Sequence, residues 1–148
     1  GFSIDELAQW IIDNRLHLCH VFTVDDLKYL HRGGRVSKTA AIAGSILGIK
    51  PLLHVDNEGH LIPVGKIRGR KQSIEKLVDM MCERMGNWDN STVAVCHGDC
   101  LSDAEYAADL MRRKLGKKTT VHICYTGAVI GSHSGPGTLA LFFMGDQR

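Results

Sequence analysis

The sequence is poor in the local signatures by which enzymes and nucleic-acid binders are usually read. Its 148 residues carry a net charge of only +2, so charge gives no case for a nucleic-acid partner. No G-x-G-x-x-G occurs, which leaves a dinucleotide site without support. The nearest thing to a phosphate loop, GHLIPVGKI over 59–67, spaces its glycines one residue too far apart and follows Lys66 with Ile67 rather than Ser or Thr. H-E-x-x-H and G-x-S-x-G are both missing, so neither a zinc protease nor a hydrolase elbow is indicated. No apolar run is long enough to span a bilayer, and no secretory signal pattern opens the chain. The five cysteines (Cys19, Cys82, Cys96, Cys100 and Cys124) are odd in number and scattered. That spacing implies reduced thiols and a cytoplasmic protein, not a disulfide framework. CHGDC over 96–100 has a C-x3-C spacing with no second pair elsewhere, so no metal site is expected. Asn90-Ser91-Thr92 matches a glycosylation acceptor, but nothing suggests secretion. There is no internal repeat, linker or low-complexity tract.

What is present suits one globular domain with a full core: 44% hydrophobic and 23% charged residues. Ser3-Ile4-Asp5-Glu6 is a capping box, and Ile4, Leu7, Ala8 and Ile11 continue it as a helix to about Leu18. Residues 19–24 form a strand. Thr23 with Asp26 repeats the cap pattern before a short helix over DDLKYLH, which RGGR (32–35) breaks. Ser37 caps a further helix of small residues, KTAAIAGSILG. A hairpin follows, KPLLHV and HLIPVGKIR, turning at Asp56-Asn57-Glu58-Gly59. A helix from about Arg70 to Met85 carries Ile74, Leu77, Val78, Met81 and Met85 on one face. Strands over 91–97, 119–125 and 138–144 complete the pattern, with a helix opened by a second capping box at Ser102-Asp103-Ala104-Glu105 and ended near Gly116. This predicts a layered α/β domain with about six strands and four to five helices.

Two stretches invite chemistry. In LHRGGRVSK (30–38), Arg32 and Arg35 flank a Gly-Gly at a helix end. They can act as a bidentate clamp for a carboxylate or phosphate, or merely decorate a solvated turn with Schellman-type glycines. A second basic knot, KIRGRK (66–71), sits where positive charge opposes the helix dipole, an arrangement that favours function over stability. In GAVIGSHSGPGTLALFFMG (127–145), Gly135, Pro136 and Gly137 specify a turn. Bare backbone N–H groups and the His133 imidazole can converge there on one anionic head group, beside apolar residues suited to its tail. The alternative is a tight turn with an incidental surface histidine, and composition does not separate the two.

Three motifs in order, VDDLKYLHRGGRVS, LGIKPLLHVDNEGHLIPVGKIRGRKQSIEKL and VIGSHSGPGTLALFF, resemble the C-terminal half of the DegV family. Characterised members of that family include the fatty-acid-binding subunit of bacterial fatty acid kinase. The resemblance covers essentially the whole chain. It implies a DegV C-terminal-like domain over 1–148, with the N-terminal domain of the family absent. It also implies a carrier role: a long-chain fatty acid is held between two domains, and its carboxylate is presented to a separate kinase subunit that makes the acyl phosphate. By similarity His133 lies near that carboxylate with Ser134, Gly135 and Gly137. Arg32, Arg35, Arg68 and Arg70 face the kinase or its phosphate. Leu30, Ile46, Leu52, Val129, Ile130 and Phe142 are the expected lining for the acyl chain, since each buried methylene contributes about 0.8 kcal/mol. The resemblance implies no catalytic residue, cofactor or metal in this chain. Two other readings stand beside it: a small-molecule transferase using His133 with the arginines on a phosphate, and an interaction domain whose pocket is filled by side chains. A half-pocket, unlike a filled one, should expose an apolar patch.

Overall fold

The structure, a computed structural model, describes residues 1–37, 48–146 and 148. The Ser37-capped helix and Ile46 fall outside the described residues. The chain order is α1 (Ile4–Asn14), β1 (Leu18–Thr23), α2 (Leu27–Arg32), β2 (Ile49–Val55), β3 (Leu61–Arg68), α3 (Arg70–Arg84), β4 (Thr92–His97), α4 (Leu101–Leu115), β5 (Thr120–Tyr125), α5 (Ala128–Ser134) and β6 (Leu139–Met144). The six strands form one mixed sheet in the order β3-β2-β1-β6-β4-β5, in which only β4 and β5 pair in parallel. The expected α/β architecture holds.

Period-2 alternation decides the two faces of this sheet. Cys19 and Val21 of β1, Val93 and Val95 of β4, and Leu139, Leu141 and Phe143 of β6 turn to one side. There they join Ile74, Leu77, Val78 and Met81 of α3 and Ala104, Ala107 and Met111 of α4 in the main core. The α4 alanines carry almost no side-chain bulk, and α3 packs directly against α4. A smaller cluster on the opposite face gathers Phe22, Val24, Leu27, Leu30 and Leu53 under α2.

That second face is covered only in part. Successive register rows run His20, Phe142, Ala94, His122 and Phe22, Ala140, Cys96, Cys124. From Phe142 and Ala140 outward to β5 these residues are half-buried or exposed. The sheet therefore leaves a shallow strip between β6 and β5, made of Ala94, Ala140, Cys96 and Cys124 with the exposed His122, and edged by Phe142. The N-terminal helix is similar. Its capping box forms as expected, Ser3 N–H to Glu6 at 2.7 Å and Glu6 N–H to Ser3 Oγ at 3.3 Å. Yet Ile4, Leu7, Trp10 and Ile11 are all exposed, and the helix stops at Asn14 rather than running to Leu18.

Two other caps differ from the sequence expectation. The N-cap of α2 is Asp26, whose carboxylate accepts from Lys28 N–H at 2.9 Å, and Thr23 is still strand. Helix α4 begins at Leu101 with Cys100 as N-cap, because the Cys100 N–H is taken by His97 Nδ1 at 3.2 Å; Ser102 lies inside the first turn. The largest difference is α5. The glycine-rich sequence around His133 reads as a loop, but Ala128–Ser134 is helical. Gly127 and Gly135 are its two caps, so the glycines bound the helix as much as interrupt it.

His20 packs edge-on against Phe142 with ring centroids 5.0 Å apart. Burial, then the nearby Arg148 charge, pushes its imidazole down to about 4. The folded state thus keeps the ring neutral between about 4 and 6.5, where the unfolded chain takes up a proton. The associated stability is complete above pH 6.5 and is lost as pH falls toward 4. We expect His20→Gln to remove on the order of 2 kcal/mol of acid sensitivity across that window. Urea midpoints of both proteins at pH 7 and pH 4.5 would check this.

Candidate functional site: two glycine motifs at the carboxyl ends of the strands

The topology determines which loops can meet. β1, β3, β4 and β5 all point the same way, with β2 and β6 opposed. One end of the sheet therefore collects the loops leaving β1, β3, β4 and β5 and the loop entering β6. This is the end at which open α/β sheets commonly bind ligands. RGGR, KIRGRK and the Gly135-Pro136-Gly137 turn all lie there.

RGGR is a complete Schellman motif. Gly34 N–H donates to His31 O at 2.9 Å and Arg35 N–H to Leu30 O at 2.8 Å, with Gly34 at φ +72°. The solvated-turn reading and the functional reading therefore describe the same residues. Across the fold, Gly33 lies against the Nδ1 edge of the His133 side chain. A Cβ at residue 33 would come within 2.3 Å of His133 Nδ1 and 3.0 Å of Cγ. Only a glycine allows the imidazole this close to the α2 terminus. The His133 ring is half-exposed, and its nitrogens make no hydrogen bond to a described residue.

The turn after His133 is rigidly held. Gly135 adopts φ +79°, ψ 175°, and a Cβ there would sit 2.5 Å from the Tyr29 ring. Thr138 Oγ1 donates to Gly135 O at 2.7 Å, and Gly137 N–H donates to Gly98 O at 2.7 Å. Ser134 is buried, its hydroxyl donating to Ile130 O at 2.9 Å. Arg70 ties this turn to two other segments. Its guanidinium donates to Gly137 O and to Asp103, each at 2.8 Å, and lies 3.6 Å from Asp25, which also binds Lys50 at 2.7 Å.

The four arginines named from the sequence thus differ. Arg70 is largely buried, with its charge committed to Asp103 and Asp25. Arg35 is exposed and folds back to donate to Gly33 O. Arg32 and Arg68 are exposed with no carboxylate partner among the described residues. The apolar residues differ as well. Leu30 and Leu52 belong to the cores on opposite faces of the sheet. Phe142 is half-buried on the shallow strip, while Val129 and Ile130 of α5 are 74% and 64% exposed, near Tyr125 at 71%. CHGDC does not converge: Cys96 meets Cys124, His97 is buried against the Tyr125 ring, and Cys100 contacts Arg70 and Thr138 O. Among the described residues no three His, Cys, Asp or Glu side chains group as metal ligands, and no helix is long and apolar enough to cross a membrane. A cleft of about 610 Å³ lies at the other end of the sheet, lined by Asp56, Glu58 and Asp146 together with His17 and Arg148.

Sequence reasoning did not single out Asp25, Tyr29 or Gly98, the residues that seat the turn. Asp25 had a readable signal, a carboxylate at the end of a strand. Tyr29 and Gly98 are identified only by the contact across the fold.

Residues 1–146 match the family model described as "Uncharacterised protein, DegV family". The chain belongs to the DegV family. It is 47% identical over its full length to a DegV domain-containing protein of Clostridium perfringens strain 13, and covers 50% of that protein. Among solved structures it is similar to a fatty acid binding DegV family protein from Streptococcus agalactiae, with TM-score 0.82 and 29% identity over 99% of this chain and 51% of that one. It is also similar to DegV, a fatty acid binding protein from Bacillus subtilis, with TM-score 0.73 and 32% identity over 97% of this chain and 50% of the other. The chain therefore spans about half the length of the DegV proteins it matches.

The two glycines separate the turn from the histidine. Gly33 has an ordinary helical backbone, φ −76° and ψ −4°, so Gly33→Ala should keep the fold and force only the His133 ring aside. Gly135→Ala, strained in its backbone and blocked by Tyr29, should cost more than about 2 kcal/mol. Denaturant midpoints together with the His133 ring resonances would show both effects. A Gly33→Ala protein with unchanged His133 shifts would contradict the assigned contact.

Proposed function

We propose that this chain is the half of a fatty-acid carrier that caps the head-group end of the site. His133 meets the carboxylate there, and the acyl chain runs along the shallow strip between β6 and β5. The observation that carries the reading is the seating of His133 on Gly33, which joins the two motifs at one sheet end beside an uncovered apolar face. A buried carboxylate is costly without donors. His133, with free ring nitrogens, and the exposed guanidinium of Arg32 supply donors at this end. The exposed patch of Tyr125, Val129 and Ile130 is what a half-pocket presents, and it runs against the filled-pocket alternative. The fatty acid binding of the Streptococcus agalactiae and Bacillus subtilis proteins supports the ligand class.

In this reading Val129, Ile130 and Phe142 touch the acyl chain, whereas Leu30 and Leu52 support it from the cores. The other half of the site comes from an N-terminal domain of the kind the DegV relatives have length for. The carrier presents the carboxylate, and a separate kinase subunit transfers the phosphoryl group. Arg32 and Arg68, exposed and without a carboxylate partner among the described residues, meet that subunit or its phosphate.

In the full-length protein with its kinase subunit, His133→Ala should leave the thermal midpoint within a few degrees and lower acyl-phosphate formation at least tenfold. Radiolabelled phosphate transfer measures this directly. Unchanged turnover would remove His133 from the site.

A further inference from the structure

The shallow strip holds one pair of reactive groups that the carrier reading does not use. Cys96 of β4 and Cys124 of β5 are register partners on adjacent parallel strands, 28 positions apart in sequence, and their sulfurs touch at 2.7 Å. Neighbouring strands lie about 4.8 Å apart, inside the roughly 4.4–6.8 Å between Cα atoms that a disulfide accepts. No backbone movement is therefore needed to bond them. The two thiols differ in access. Cys124 is exposed on the edge strand, whereas Cys96 is half-buried behind it. We propose that Cys96 and Cys124 are a thiol pair that closes to a reversible disulfide by exchange with low-molecular-weight disulfides, with Cys124 as the entry thiol.

The chemistry balances with a disulfide RSSR as oxidant. The Cys124 thiol gives up its proton to solvent, and the thiolate attacks one sulfur of RSSR. The S–S bond breaks, RS⁻ leaves and takes up a proton as RSH, and Cys124 carries the mixed disulfide. Cys96 then loses its proton and attacks the Cys124 sulfur, releasing the second RSH. Two protein thiols are oxidised by two electrons, and one RSSR is reduced to two RSH.

The order of attack follows from the surroundings. Burial, with the adjoining Cys124 thiol adding to it, pushes the Cys96 thiol up to about 12, so it stays protonated and unreactive at first. Once Cys124 carries the incoming group, Cys96 already lies in contact with the sulfur it must attack. Cys96 is thus suited to resolving and not to entry. Cys82 and Cys100 have burial-raised thiols and no sulfur partner among the described residues. The bond would staple the edge strand β5 to β4 just before α5, the helix that carries His133. The proposal stands on strand register and thiol contact; in the lipid reading the acyl chain lies over the same strip, so the pair reacts when the strip is empty.

Treatment of this chain with oxidised glutathione, followed by alkylation of remaining thiols and non-reducing peptide mapping, tests it. We expect two of the five thiols to become unalkylatable, a linked peptide joining residues 96 and 124, and no retained glutathione. Cys96→Ser should trap glutathione on Cys124, and Cys124→Ser should slow thiol loss at Cys96 at least tenfold. Glutathione persisting on Cys124 of the wild-type chain, Cys96 linked to any other cysteine, or equal oxidation of all five thiols would overturn the proposal.

Discussion

The Arg70 guanidinium is the interaction on which the glycine-turn end of this domain depends. It reaches the Gly137 carbonyl of the turn before β6, the Asp103 carboxylate in the first turn of α4, and Asp25 after β1. Three segments far apart in sequence are thereby fixed to the first residue of α3. A charge placed here is costly unless its donors are satisfied: Nε and Nη2 are hydrogen-bonded, while the buried Nη1 has no hydrogen-bond partner among the described residues and faces the Asp25 carboxylate at 3.6 Å. Its position also explains a contradiction in the sequence: an arginine at a helix N-terminus opposes the dipole. Arg70 is there for the loops it holds.

The fixed turn matters because of what precedes it. His133 ends the short helix α5, and the turn at Gly135 sends the chain back into β6 under the ring of Tyr29. The imidazole packs against Gly33 at the end of α2. The exclusion of a Cβ at Gly33 and the strained backbone at Gly135 are two parts of one device. It holds the His133 imidazole against the α2 terminus, with no hydrogen bond to its nitrogens among the described residues. A carboxylate with a long hydrocarbon tail matches that combination: the head needs donors, and the tail needs only dry surface.

Much of this was legible in advance, and particular residues show why. Ser3-x-x-Glu6, the 56–59 turn and the Ile74-Leu77-Val78-Met81 stripe act within one turn of chain, so local pattern predicts them. The motif order carried the family, which composition did not. Helix α5 was not legible, because glycines at 127, 131 and 135 lower local helix propensity and the packing of α5 against α2 overrides it. The difference between Arg70 and Arg32 was equally hidden. Both look like surface basic residues, and only the positions of Asp25 and Asp103 separate a structural cation from a free one. The contact of Cys96 with Cys124 depends on strand register, which no local motif records.

The location of the head group decides whether His133 belongs to the binding site. The measurement that tests it most directly is an NMR titration of the full-length protein with a long-chain fatty acid carrying ¹³C at its second carbon. We expect Overhauser contacts from that methylene to the His133 ring and the Gly33 α-protons, and contacts from the distal chain to Phe142 and Ala94. A ligand whose methyl end lies at His133, or one that touches neither His133 nor the β6–β5 strip, would contradict the site described for this chain.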